Sequence, residues 1–197
     1  MAAIALAGGR EAIYAGMYGA GDGGATVAGR VFGATFDTAA QASPVWQDLT
    51  LSPVTNDTDR LNAFGKDISS IFIDPHDTTG KTVYVTVEGI PEINANVRMV
   101  YRSTDGGAHW QTVISNLPPA PANSLVVDPA DANTVYVATD MGVFSTRQIG
   151  SCLSGPDNCW SAYGTGLPGA PVTQLSAAPT SPSSGVLVAG TYGRGIW

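Results

Sequence analysis

The residues of this chain with the clearest capacity for chemistry are acidic side chains in polar, loop-like segments. They are Asp22, Asp57, Asp59, Glu88, Glu92 and Asp140. Hydrolysis of a glycosidic bond uses two carboxyl groups that flank the bond, one as proton donor and one as nucleophile or base. Nothing in the sequence singles out a pair among the six, so catalytic residues stay unassigned. Solvated loop carboxylates remain the alternative interpretation.

Three arginines, Arg30, Arg98 and Arg194, stand just before or within comparable strand-like runs. Guanidinium groups bind carboxylates in bidentate fashion, so a shared site for an anionic group is one interpretation. No metal site is expected, because the two histidines, His76 and His109, are far apart in sequence. No cofactor is expected either, since no helix follows the glycine-rich segment at 19–24 that would suggest a phosphate-binding loop.

Two cysteines, Cys152 and Cys159, lie in a segment rich in Ser, Gly, Pro, Asp and Asn. We predict a disulfide between them, with free thiols as the alternative, and oxidising compartments favour such pairing. The expected location is therefore secreted or periplasmic. The apolar N-terminus has no basic segment and does not form a signal peptide, so we expect either that a leader was removed or that the chain is a piece of a longer protein.

The elements that position these residues are predicted from composition. Of 197 residues, 44% are hydrophobic and 13% are charged, with 24 Gly and 13 Pro, which is typical of many short strands joined by turns. The formal charge of −7 would repel phosphate, so nucleic acid is not an expected partner. No apolar run approaches the ~20 residues that a membrane-spanning helix needs.

One turn stands out at residues 103–110. It has the pattern S-x-D-x-G-x-x-W, formed by Ser103, Asp105, Gly107 and Trp110. Glycine supplies the positive φ of a tight hairpin, and the hydroxyl and carboxylate accept turn N–H groups. Trp110 begins the next strand and covers the turn. The motif therefore predicts a structural turn rather than a catalytic aspartate.

The sequence repeats with a period of about 50 residues, each unit carrying four strand-like runs. An apolar run ending in Asp74-Pro75 returns at Asp128-Pro129, the Val-Tyr-Val run at 83–85 returns at 135–137, and Trp110 returns as Trp160. Four strands per repeat are typical of a β-propeller blade. We predict an all-β propeller with blades at 1–53, 66–118 and 120–168 and an incomplete one at 171–197. About three and a half blades leave the ring open, so missing blades or a second copy are expected to close it.

These residues resemble those of bacterial Asp-box (BNR-repeat) β-propeller proteins, the sialidase-like, xyloglucanase-like and sortilin-type group. The resemblance is carried by residues 103–110, by the two Asp-Pro blade starts and by 190–197, and it extends from about Trp46 to Trp197. It implies that Asp-box turns lie on one face. Ligands bind on the opposite face, made by loops from second to third strands and by blade connections. The ligand-face candidates are Asp22, Arg30, Glu88, Glu92, Arg98, Asp140, Tyr192 and Arg194, together with the loop at 55–60.

The resemblance leaves the activity open, because such blades serve hydrolases, receptors and assembly factors. A xyloglucanase-like interpretation makes Asp57 or Asp59 the catalytic candidate, because an acidic loop follows Trp46-Gln47-Asp48-Leu49. A sialidase is not expected, since Gly89 stands where that family's Arg-Ile-Pro element needs arginine. We predict extracellular recognition of a glycan or protein partner without catalysis. The alternative is a fragment of a glycoside hydrolase.

Overall fold

The structure, a computed structural model, describes residues 1–7, 9–22, 25–40, 43–57, 60–89, 98–152, 158–181 and 184–197. Within these ranges the apolar runs form β-strands and one short 3₁₀ helix (Ile149–Ser151), and no α-helix is present. Three sheets have four antiparallel strands, a fourth has three, and a small hairpin forms a fifth. The predicted class, an all-β partial propeller built from four-stranded antiparallel sheets, is confirmed.

The first sheet contains a hairpin insertion between its second and third strands. Its strands, in hydrogen-bonded order, are β1 (Ala2–Leu6), β2 (Arg10–Gly16), β5 (Val31–Asp37) and β6 (Gln47–Asp48). The insertion consists of β3 (Ala20–Asp22) paired with β4 (Ala25–Val27). It follows β2, so it extends from the end of the sheet where second strands finish.

The second and third sheets repeat one order of strands. The second sheet contains β7 (Asp67–Ile73), β8 (Val83–Glu88), β9 (Val100–Ser103) and β10 (Gln111–Thr112). The third contains β11 (Ala122–Asp128), β12 (Asp131–Thr139), β13 (Gly142–Thr146) and β14 (Ser161–Tyr163). Each sheet falls within one predicted repeat, while the repeat boundaries themselves stay a prediction.

The fourth sheet contains β15 (Val172–Ser181), β16 (Ser184–Thr191) and β17 (Gly195–Ile196). First strands line the inner edges of the sheets: β7 packs against both β1 and β11, and β15 packs on β11. Hydrogen bonds connect these inner strands. The Ser69 hydroxyl donates to the Ala122 carbonyl, and the Leu175 N–H donates to Ser124 Oγ over 3.1 Å.

The interior sheets are buried on both faces because each lies between two neighbours. Val83, Val85 and Val87 of β8 pack with residues of the first sheet, whereas Tyr84 packs with residues of the third. Successive side chains of a strand point to opposite faces, so a continuous apolar run fits a strand covered on both sides. In contrast, Val186 and Val188 of β16 remain exposed on the free face of the fourth sheet.

Two tryptophans connect neighbouring sheets in the same way. The Trp110 indole N–H donates to the Leu49 carbonyl at 3.1 Å, and the Trp160 indole N–H donates to the Val113 carbonyl at 2.8 Å. Trp110 and Trp160 are buried, so each satisfies its only polar group while it fills the space between two sheets. Trp46, at the start of the last strand of the first sheet, is 42% exposed.

The turn between β7 and β8 is closed by Asp77 at the end of the sheets opposite the hairpin insertion. Its carboxylate accepts hydrogen bonds of 2.6 to 2.9 Å from the backbone and side chains of Thr79 and Thr82. Burial acts to raise the pKa of Asp77, but these four hydrogen bonds to the charged form outweigh it and lower the pKa to about 2.

We expect Trp110→Ala to lower the free energy of unfolding by about 3 kcal/mol or more, because it empties a buried site between two sheets. Trp110→Phe keeps most of the packing and loses the hydrogen bond to Leu49, so a loss nearer 1 kcal/mol is expected. Urea unfolding measures both, with Trp46→Ala as the control. Equal losses for Trp46→Ala and Trp110→Ala would contradict the connecting role of Trp110.

We expect ionised Asp77 to stabilise the fold at neutral pH and to lose this effect in acid. A carboxyl whose folded pKa is below its ordinary value of 3.8 contributes fully above that value, and the contribution disappears as pH falls through about 2. Asp77→Asn should therefore be less stable than the parent protein at pH 6, and the difference should shrink towards pH 2. Denaturant midpoints measured across this range test it. A difference that does not change with pH would show that the charge plays no part.

Candidate functional site

A cavity of about 400 Å³ lies at the end of the sheets where the second strands finish. Each of the four sheets contributes to it from just beyond or at the end of a second strand. These contributions are Tyr18 after β2, Glu88 at the end of β8, Asp140 after β12 and Tyr192 after β16. All four second strands finish at the same end of their sheets, so these four residues lie at one rim of the cavity.

We call this cavity the central cavity. Its inner wall is polar, and hydrogen bonds hold the polar side chains in place. Asn123 donates through its side-chain amide to Asp140 Oδ1 and to the Val172 carbonyl, both at 2.9 Å. Ser69, also in the wall, lies 2.8 Å from the Thr86 hydroxyl and donates to the Ala122 carbonyl. The second, third and fourth sheets are thus tied together beneath the cavity, which fixes the positions of its walls.

The rim of the central cavity offers aromatic rings beside charged oxygens. Tyr18, Tyr192, Glu88 and Asp140 are all exposed. Exposed carboxylates accept hydrogen bonds from hydroxyl groups, and tyrosine rings present apolar faces with a polar edge. This combination can bind a polyhydroxylated molecule, and both carboxylates remain open to solvent.

The predicted ligand-face residues do not all meet in one place. Asp140 and Tyr192 line the central cavity, whereas Arg30 lines a separate one of about 300 Å³ with Asp48, Arg60 and Phe64. Arg194 is exposed between β16 and β17, and its carbonyl accepts the Trp197 indole N–H at 2.9 Å. Asp22 belongs to β3, whose side chains are not described. Asp59 and Glu92, two of the catalytic candidates, lie outside the described residues.

Asp57, another of the catalytic candidates, forms a partly buried ion pair with Arg98. Arg98 Nε donates to Asp57 Oδ2, and the Asp57 side chain is 7% exposed. The preceding residues run along β10: Asn56 exchanges hydrogen bonds with the Thr112 backbone at 2.8 and 2.9 Å. The pair therefore joins the connection between two sheets to the segment that enters β9, and its carboxylate faces a guanidinium group.

The motif at 103–110 closes a turn at the opposite end of the second sheet. Ser103 Oγ accepts the Gly107 N–H at 2.8 Å, and Asp105 Oδ1 accepts the His109 N–H at 2.9 Å. Gly107 has a φ of 87°, and a Cβ there would lie 2.6 Å from the Leu49 side chain. Burial acts to raise the pKa of Asp105, but hydrogen bonds from His109 and Ser103 outweigh it and lower the pKa. Asp105 thus serves the turn.

The third sheet closes the corresponding turn with a disulfide. Cys152 and Cys159 are bonded to each other, and the Thr146 hydroxyl lies 3.4 and 3.3 Å from their sulfur atoms. Ile149, in the short 3₁₀ helix, is buried beneath them in the same cluster as Trp160. Thr146 stands where Ser103 stands in the second sheet and accepts the Gln148 N–H at 3.2 Å, so the hydroxyl is retained and the disulfide is present in place of the Asp105 carboxylate.

The described residues contain neither a metal-binding cluster nor a membrane-spanning helix. Among them, no group of three or more His, Cys, Asp or Glu side chains is arranged to hold a metal ion. The same part of the chain has no helix with the length and apolar character to cross a bilayer.

Sequence reasoning missed Asn123 and Phe64 as site residues. The resemblance to propeller proteins predicts residues after second strands, such as Asp140 and Tyr192, for the ligand face, and both line the central cavity. Asn123 lies within β11 and reads as an ordinary strand residue. Phe64 belongs to the long connection between the first and second sheets, which has no equivalent in the other repeats.

No protein-family model matches this sequence, and no curated protein matches it. Among solved structures, the chain is similar to the crystal structure of the GH74 xyloglucanase from Xanthomonas campestris, with a TM-score of 0.50 and 16% identity. The match covers 93% of this chain and 27% of that enzyme, so this chain spans about a quarter of the enzyme's length. The similarity establishes the propeller fold.

We expect Arg98→Gln to destabilise the protein by about 2–3 kcal/mol. This value lies between exposed ion pairs, worth up to about 1 kcal/mol, and fully buried pairs, where losing one partner costs about 3–5 kcal/mol. In a double-mutant cycle with Asp57→Asn, the combined loss should be smaller than the sum of the single losses. Arg147→Gln, at an exposed site, is the control. Additive losses would exclude direct coupling between Asp57 and Arg98.

Proposed function

We propose that this chain is an Asp-box β-propeller module that recognises a glycan at the central cavity without catalysing its hydrolysis. The single observation that carries the proposal is the composition of the rim. Four sheets each supply one exposed residue, two tyrosines and two acids, around about 400 Å³. Loops on a rigid scaffold are common places for recognition, and a concave site with few polar groups is typical of ligand binding.

A sugar ring has apolar C–H faces and a periphery of hydroxyl groups. Tyr18 and Tyr192 supply ring faces for the former, and Glu88 and Asp140 supply acceptors for the latter. Asn123 holds the Asp140 carboxylate in place, so one acceptor is oriented before the ligand arrives. Such pre-organisation reduces the entropy lost on binding.

We propose binding without hydrolysis because of the surroundings of the carboxylates. A hydrolase needs one carboxyl group that retains a proton near neutral pH, usually through burial or a neighbouring charge. Glu88 and Asp140 are both exposed to solvent, and Asp57 is paired with Arg98. Among the described carboxylates of this face, these surroundings favour binding over proton transfer.

Three further points support the proposed type of protein and its setting. The hydrogen bonds of Ser103 and Asp105 within their turn agree with the Asp-box interpretation. The disulfide agrees with a secreted or periplasmic location. The uncovered Val186 and Val188 agree with closure of the ring by further blades or by a second copy.

Soluble xyloglucan oligosaccharide is the first probe, because the similar solved structure is a xyloglucanase. We expect isothermal titration to detect binding, and Tyr192→Ala or Asp140→Asn to raise the Kd about tenfold, equivalent to about 1.4 kcal/mol. Arg194→Ala is the matched control, since Arg194 is exposed near Tyr192 but outside the cavity. A panel of neutral glycans follows if xyloglucan fails. No binding across the panel, or equal effects in the control, would overturn the proposal and favour a protein partner.

A glycoside hydrolase is the second candidate, favoured by one observation. Glu88 and Asp140 line a single cavity, as the two carboxyl groups of a glycosidase do. Release of reducing ends from xyloglucan tests this candidate. It predicts that Glu88→Gln and Asp140→Asn each abolish release while binding persists. The recognition proposal predicts no release by the parent protein.

A further inference from the structure

The separate cavity beside the first sheet has walls from two parts of the chain. Arg30 and Asp48 come from the first sheet, just before β5 and at the end of β6. Arg60 and Phe64 come from the connection that leads to β7. The cavity measures about 300 Å³ and lies at the same end of the sheets as the central cavity.

Asn62 fixes these walls to each other. Its side-chain amide donates to the Gly29 carbonyl at 2.9 Å and to the Lys66 carbonyl at 2.6 Å, and its Oδ1 accepts the Lys66 N–H at 2.9 Å. Leu61 is fully buried in the core beside it. A Cβ on Gly29 would lie 2.2 Å from the Lys66 carbonyl oxygen, so the two segments already touch. The cavity is therefore preformed.

Two guanidinium groups face this cavity and retain capacity to bind an anion. Arg30 uses Nη1 for Asp48, at 3.0 Å, and its side chain is 53% exposed. Arg60 is exposed and makes no hydrogen bond or ion pair within the described ranges. Asp48 also accepts the Thr50 N–H at 3.0 Å, which orients the carboxylate that holds Arg30. Among the residues that line this cavity, two positive charges stand against one negative charge, in a protein of net charge −7.

Phe64 adds an apolar surface to the same cavity. Its side chain is 46% exposed, although the neighbouring Leu61 and Asn62 are buried. An exposed aromatic ring beside guanidinium groups can pack on the C–H face of a sugar while the cations bind a charged substituent. Together, an aromatic face and two guanidinium groups fit a ring that carries an anionic group.

We propose that this cavity binds an anionic sugar residue of a glycan, one bearing a carboxylate or a sulfate group. The guanidinium groups of Arg30 and Arg60 bind the anionic group, and Phe64 packs on the sugar ring. The inference rests on the proposed glycan recognition for its biological setting, but it concerns different residues. It implies that the protein distinguishes acidic glycans from neutral ones of the same length.

The test uses the full chain and titration with matched oligosaccharides. One ligand is a xylo-oligosaccharide carrying a single glucuronate, a second is the same oligosaccharide without it, and a third carries a sulfate in place of the acid. We expect the acidic ligands to bind at least tenfold more tightly at low salt. The advantage should diminish as ionic strength rises, because exposed charges are screened. The comparison of carboxylate with sulfate identifies which group the cavity prefers.

Arg60→Gln is the decisive variant, because Arg60 supports no described contact whose loss would disturb the fold. It should remove the preference for the acidic ligands while thermal unfolding stays unchanged. Arg30→Gln should also reduce the preference for acidic ligands. Phe64→Ala should weaken the binding of acidic ligands without altering the salt dependence of that binding. Arg147→Gln removes an exposed arginine elsewhere and should change nothing. Equal affinity for acidic and neutral ligands, or equal effects of Arg60→Gln and Arg147→Gln, would overturn the inference.

The two proposals fail in different ways. If neutral ligands bind at the central cavity, and a glucuronate or sulfate group does not increase the affinity, the inference is wrong and the proposed function stands. If only acidic ligands bind, Arg60→Gln abolishes binding and Tyr192→Ala has no effect, the inference stands and the central site is wrong.

Discussion

The structure depends on the burial of each sheet against the next, with one indole between the first and second sheets and another between the second and third. Trp110 and Trp160 fill the space between successive sheets and donate to the carbonyls of Leu49 and Val113 in the sheet before. An indole has a single polar hydrogen, so a buried tryptophan needs one acceptor at one place. This requirement fixes the distance and the rotation between sheets more narrowly than apolar contact alone.

Because the sheets are held in this way, their two ends are free to differ. At one end the turns use their polar side chains on themselves: Asp77 and Asp105 accept turn hydrogen bonds, and Cys152 is bonded to Cys159. At the other end the loops leave polar and aromatic side chains directed to solvent, including Glu88, Asp140 and Tyr192. The division follows from strand direction, since every second strand finishes at the same end.

The fold could be predicted from the sequence because the repeat is local and periodic. The Val-Tyr-Val runs at 83–85 and 135–137 mark strands covered on both faces, and the two tryptophans mark the start of the last strand in each unit. The site could be predicted only in part. Asp140 and Tyr192 are predicted for the ligand face because they follow second strands, and the structure places both at the central cavity. The pairing of Asp57 with Arg98, and the meeting of Arg30 with Arg60, join segments far apart in sequence, and no local pattern encodes such distances.

Adjacent sheets close the equivalent turn with different bonds. The two turns therefore differ in their response to acid and to reducing agents. The turn before Trp110 depends on an ionised carboxylate, while the turn before Trp160 depends on a covalent bond between sulfur atoms. Protonation of Asp105 would therefore weaken the first turn and leave the disulfide intact, whereas reduction of the disulfide would loosen the second turn and leave the carboxylate unaffected. The acidity and the redox state of the solution would thus determine which of the two turns loosens first, although both sheets belong to the same repeat.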